Sequence, residues 1–133
     1  MQSFTKILLA LAAGTSSLVS ALPLEPRQSV QTGDLTYYTP GLGACGVTNT
    51  EDDAIVALSW QLFDQYTPAS GNPNLNTLCG RQIQITRNGA SAVVTVADRC
   101  TGCQLNDLDV PIKVFGELAD PAAGRVQMEW TWL

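Results

Sequence analysis

Apolar and polar residues alternate along three stretches of this chain, the pattern of strands that bury one face. Two of them, Gly80 to Thr86 and Ala90 to Ala97, flank Asn88-Gly89, the dipeptide that most favours a two-residue turn, and together they predict a β-hairpin. The third, Gly124 to Leu133, closes the chain. Weaker patterns predict two more strands: Asp34 to Thr39, starting from Gly33, and the mostly apolar run Ala54 to Leu58, which reads as fully buried. Ser59 is placed to cap a helix of one or two turns over Trp60 to Gln65, and Pro111 to Leu118 reads as a second short helix with proline at its first position. Short strands outnumber helices and the connections are rich in turn formers, so the expected architecture is mainly β, a small closed or nearly closed barrel with one or two short helices.

The first 27 residues are set apart from that pattern. Lys6, the apolar run Ile7 to Ala13 and the small residues Val19-Ser20-Ala21 make residues 1–21 a secretory signal peptide, too short and too interrupted for a membrane span. Residues 22–27, ending in Arg27, read as a pro-segment, and residues 28–32 as a loose polar arm before a domain over residues 33–133. Cleavage after Arg27 leaves 106 of the 133 residues. Dropping Lys6 and Arg27 from seven basic side chains and Glu25 from twelve acidic ones leaves five and eleven, a net charge of −6. Nucleic acid, anionic membrane and acidic pectin are poor partners for such a surface, whereas neutral polysaccharide suits it. The chain has no histidine. That excludes a Ser-His-Asp or Cys-His triad, histidine-ligated zinc and a histidine general base.

Four cysteines in a small secreted domain read as two disulfides, with three possible connectivities, of which Cys45 with Cys79 and Cys100 with Cys103 is favoured. A four-cysteine zinc site is a weaker alternative, because only one Cys-x-x-Cys pair is present, and no metal or cofactor is expected. Candidate chemistry gathers between Ala97 and Asp109, where a strand delivers Asp98, Cys100 to Cys103 form a compact loop, and Asp107 and Asp109 lead into the second helix.

These residues assemble a wider pattern. Thr36-Tyr37-Tyr38, Gly43-Ala-Cys-Gly46, Leu78-Cys-Gly80, Val94 to Cys103, Leu108-Asp109 with Phe115 following, and Trp130-Thr-Trp132 together closely resemble the secreted fungal expansin-like proteins called loosenins. Those proteins group with expansins, small inverting endoglucanases and rare lipoprotein A-like domains. The resemblance covers Gly33 to Leu133 and implies a six-stranded double-psi β-barrel. It also implies a groove that holds an extended glycan such as cellulose, xylan or chitin, acting outside the cell as a monomer. By resemblance, Asp109 matches the acid needed for wall loosening, Asp98 a second groove aspartate, Thr36 a polar neighbour, and Tyr37 and Tyr38 the aromatic part of the same strand motif. Two departures stand out. Thr39 or its neighbours occupy the place of the endoglucanases' base, and Cys100 that of a groove tyrosine in some bacterial expansins. The chain also ends on the last barrel strand, so the second, carbohydrate-binding domain of expansins is not expected.

The implied function is non-hydrolytic loosening of cell-wall polysaccharide. A weak glycoside hydrolase or lytic transglycosylase using Asp109 is one rival, and a secreted protease inhibitor or effector with a protein partner is another. Bland readings stand beside each residue. Asp109 can simply cap the second helix, and Asp98 can pair with Arg99 or accept backbone N–H groups. Strand alternation lets only one of Tyr37 and Tyr38 face a groove. At least one of Trp130 and Trp132 is expected in the core, Trp60 is the aromatic more open to solvent, and Asp52, Asp53 and Asp107 are expected to be solvated.

Overall fold

The structure is a computed structural model that describes residues 29–133. The signal peptide and pro-segment assigned above, and Gln28 of the arm, lie outside the described residues. The strands are β1 (Gln31–Tyr37), β2 (Ile55–Ser59), β3 (Gln82–Arg87), β4 (Ala90–Cys100), β5 (Leu108–Val110) and β6 (Val126–Trp132). They close into a barrel in the order β1-β5-β2-β4-β3-β6. Two pairs are parallel, β1 with β5 and β2 with β4, and the other four are antiparallel. This is the double-psi barrel, with two short helices, α1 (Trp60–Phe63) and α2 (Ile112–Leu118).

The hairpin forms as expected. Asn88 and Gly89 both adopt positive φ, 49° and 83°, as a type I′ turn requires. Ser59 caps α1, its hydroxyl accepting from the Gln61 N–H. Most element ends shift by one to three residues from expectation, and three differences stand out. β1 starts at Gln31 rather than Gly33, so the end of the predicted arm is held by pairing of Gln31 and Thr32 with Trp130 and Glu129. Pro111 precedes α2 as its extended N-cap, at ψ 155°, rather than opening the helix. β5 was not foreseen as a strand. Three residues are too few to show a period, and their pairing with β1 and β2 comes only from the closed barrel.

Inside the barrel, Leu35, Val56, Leu58, Ile83, Ile85, Val94, Val96, Leu108, Val110, Met128 and Trp130 pack into one cluster with Val114, Phe115 and Leu118 of α2. All five β2 residues are buried, which explains why that strand is apolar rather than alternating. The indole N–H of Trp130 donates to the Asn106 carbonyl (3.0 Å), so the largest core side chain leaves no orphaned donor. Trp132 lies half-buried against the edge of Trp130, with the Arg81 guanidinium 4.2 Å above its ring. Both favoured disulfides are present, Cys45–Cys79 and Cys100–Cys103.

Candidate functional site

One row of residues runs across four neighbouring strands. Thr36 on β1 stands opposite Asp109 on β5, Asp109 opposite Ala57 on β2, and Ala57 opposite Asp98 on β4. With strands about 4.8 Å apart, the Cα atoms of Asp98 and Asp109 sit roughly 10 Å from each other across the small Ala57. The row floors a cleft of about 380 Å³, walled by Tyr38 and Arg125 and by the loop that Cys100–Cys103 closes.

Strand alternation alone would aim Asp98 into the core, because Val94 and Val96 on the same strand are buried there. A β-bulge prevents this. Val56 pairs with Val96 but Ala57 pairs with Asp98, so Ala97 is an extra residue on β4 and the phase flips at Asp98. The freed Ala97 carbonyl turns outward and accepts the Cys45 N–H (3.2 Å). Gly43 is needed for that contact, since a Cβ there would lie 2.5 Å from the Ala97 oxygen. Gly43→Ala is therefore expected to cost about 1–3 kcal/mol in urea unfolding. The same substitution should displace the Asp98 carboxylate, visible as a changed Ala44 amide resonance.

The carboxylates have different surroundings. Asp98 accepts three bonds: one oxygen takes the N–H of Ala44 (2.9 Å) and of Arg99 (2.8 Å), the other the Tyr38 hydroxyl (3.1 Å). Burial, reinforced by the charge and hydrogen bond of Asp98, pushes the Tyr38 phenol far above its usual range, so it stays a protonated donor. Asp109 accepts one bond, from the Thr36 hydroxyl (3.0 Å). Burial raises its carboxyl above the ordinary aspartate value, and the Asp98 charge raises it further, while the Thr36 bond and Arg125 oppose the shift. Asp109 thus keeps its proton to higher pH than an ordinary aspartate.

Several expectations are corrected by this geometry. Asp109 lies inside β5 and makes no helix cap. Tyr37 is not in the cleft: its ring packs edge-on against Phe115, and its hydroxyl donates to the Pro121 carbonyl. Arg99 does not pair with Asp98 but forms a two-pronged ion pair with Asp64, both contacts 2.7 Å. Asp107 is not merely solvated, since it accepts the N–H groups of Asp34 and Gln104 and fixes the loop at the cleft rim. Asp53 closes its own turn by accepting the Thr50 N–H and the Asn49 amide. Trp60 is 40% exposed, as expected, but is not among the residues lining the cleft. Ala57 and Arg125 were not foreseen. Nothing local marks Arg125, whose role comes from its contact with Asp34 on the neighbouring strand β1 (3.2 Å).

No family model matches the chain. It is 33% identical to the papain inhibitor of Streptomyces mobaraensis over 123 residues, 86% of this chain and 81% of that one. It belongs to the expansin-like double-psi β-barrel family. Within that family, the solved Streptomyces papain inhibitor superposes with a TM-score of 0.70 at 31% identity, covering 81% of this chain and 97% of that one. An expansin variant from Clavibacter michiganensis, solved in complex with cellohexaose, superposes with a TM-score of 0.65 over 79% of this chain and 50% of its own, at 23% identity, which speaks for a shared fold. The chain is also 42% identical over 90 residues to the Allergen Asp f 7 homolog of Arthroderma benhamiae, covering 65% of this chain but only 28% of that longer protein.

Proposed function

We propose that this protein is secreted, binds a neutral cell-wall polysaccharide along the cleft, and loosens it without cutting it. The observation that carries the reading is the row Thr36–Asp109–Ala57–Asp98, the floor of a cleft lined by one partly buried acid. Asp109 keeps its proton further toward neutral pH than an ordinary aspartate and can donate it to a sugar oxygen, competing with the hydrogen bonds that hold glycan chains together. Tyr38 and the hydrogen-bonded Asp98 hold the floor in place. Both carboxylates rise from one sheet face, whereas inverting hydrolysis needs an acid and a base on opposite faces of the sugar ring. The geometry therefore speaks against inverting hydrolysis. The two disulfides fit an oxidising, extracellular setting.

A second reading, inhibition of a papain-like protease, is supported by the 33% identity to a papain inhibitor over most of both chains. Cellulose, xylan and chitin, incubated with the protein cut before Gln28, separate the readings when fibre strength and released reducing ends are scored together and papain activity is assayed in parallel. Weakening without new reducing ends is the expected result. New reducing ends would make the protein a hydrolase, and stoichiometric papain inhibition with no effect on any glycan would transfer the assignment to the protease reading.

A further inference from the structure

The barrel carries a second cross-strand row. Thr32 on β1 stands opposite Glu129 on β6, Glu129 opposite Thr86 on β3, and Thr86 opposite Ser91 on β4. All four side chains are exposed, and among the described residues none has a hydrogen-bond partner. The ring order β1-β5-β2-β4-β3-β6 puts the two rows on opposite halves of the circumference, since the cleft row runs from β1 to β4 through β5 and β2, and this one through β6 and β3. A second cleft of about 380 Å³ opens at its edge, where the hairpin turn at Asn88 and Gly89 stands beside Gln127.

The chemistry of this face differs from that of the cleft. Hydroxyls and amides dominate it, Glu129 is the one acidic side chain in the row, and the Arg87 guanidinium at its margin is directed to the Leu118 carbonyl. In a chain with eleven acidic residues after Gln28, a face so short of charge suits a neutral, hydroxyl-rich partner and gives a polyanion or polycation little to hold. Paired strands add a regular spacing, about 4.8 Å across strands and 6.8 Å along them, on which an extended chain can make repeated contacts.

We propose that the outer face of β6, β3 and β4 is a second binding surface for neutral polysaccharide, so that one barrel holds two glycan chains, one on each side. This rests on the polysaccharide reading above. It gives a single domain the means to act between chains, because simultaneous engagement of two sites multiplies avidity and links the chains it joins.

The test uses suspended cellulose, chitin and xylan particles. Retention on the particles and clustering of the particles are measured across a protein concentration series, with monomer mass checked by light scattering. The wild-type protein is expected to cluster particles at intermediate concentration and to release them at excess, when each site fills separately. Replacing Thr86, Ser91 and Gln127 together by alanine removes exposed hydrogen-bonding groups without touching the core. It should leave the protein bound through its cleft but lower clustering at least fivefold, and Thr86→Arg should act likewise. Clustering by either variant at the wild-type level overturns the second surface and leaves the cleft reading intact, as does a wild-type protein that is retained but never clusters. A wild-type protein retained on none of the three glycans overturns the cleft reading, and the second surface with it.

Discussion

Asp109→Asn is expected to lower glycan loosening roughly 10- to 100-fold and, at neutral pH, to make the protein more stable. Loss of the acid removes a hydrogen bond involving a charged or protonated carboxyl, about 1.5–3 kcal/mol, which corresponds to roughly a 10- to 100-fold fall in glycan affinity or loosening rate. The stability gain follows from burial. The carboxyl titrates above its ordinary value in the folded protein, so the folded state binds that proton more tightly than the unfolded chain does. The associated stability is complete below the unfolded-state value, about 3.9, and is lost as pH rises through the folded-state value. Asparagine never ionises and escapes that loss. Melting temperatures compared at pH 7 and pH 3 should show the variant ahead of wild type at pH 7, with the advantage gone at pH 3. A variant less stable than wild type at pH 7 would mean that the Asp109 carboxylate is favoured by the folded state, contrary to its buried position.

The largest stability effect is expected from opening Cys45–Cys79. The bridge spans a sequence separation of 34, and loop-closure entropy puts its contribution at about 4 kcal/mol. A small domain has about 5–15 kcal/mol in total, so the paired substitution Cys45→Ser with Cys79→Ser should shift the urea midpoint strongly downward or leave the chain unfolded at 37 °C. Its effect reaches the cleft through neighbouring backbone. Cys45 donates to the bulge carbonyl of Ala97, and Ala44 donates to Asp98, so a loosened Gly43–Cys45 segment withdraws two of the bonds that set the floor. Weakened glycan binding in a variant that is still folded is the signature to look for. Undiminished stability would show that the tight loop around Gly43 and the buried strands carry the fold without it.

Much of the barrel was legible along the chain because its signals are local. The hairpin at Asn88-Gly89, the Ser59 cap, the buried run of β2 and the alternating β6 each need only a few neighbouring residues to declare themselves. That the four cysteines pair was readable from their number in a small domain, whereas the pairing, favoured among three connectivities, is set by the fold. The candidate site was legible in part: Thr36, Tyr38, Asp98 and Asp109 come together as the resemblance implied, while Tyr37 turns to Phe115 because consecutive strand residues point to opposite faces. Arg125 and Ala57 carried no local mark, since each acquires its role from a partner that folding brings near, and the half-buried Asp107, read as solvated, is tied to Asp34 only by the fold.

The sequence by itself marked five of the six strands, where the hairpin turns, that the four cysteines read first as two bridges, and that histidine-based chemistry is excluded. Period-two alternation and turn propensity are properties of the chain's own neighbours, so no fold is needed to read them. Tertiary structure alone decided that Leu108–Val110 is a strand, and that Ala97 is a bulge. It also set Asp98 and Asp109 side by side across Ala57. Those outcomes depend on register between strands distant in sequence. A shift of one residue there moves a side chain from the core to the cleft, and nothing within β4 by itself marks on which side of that shift Asp98 will fall.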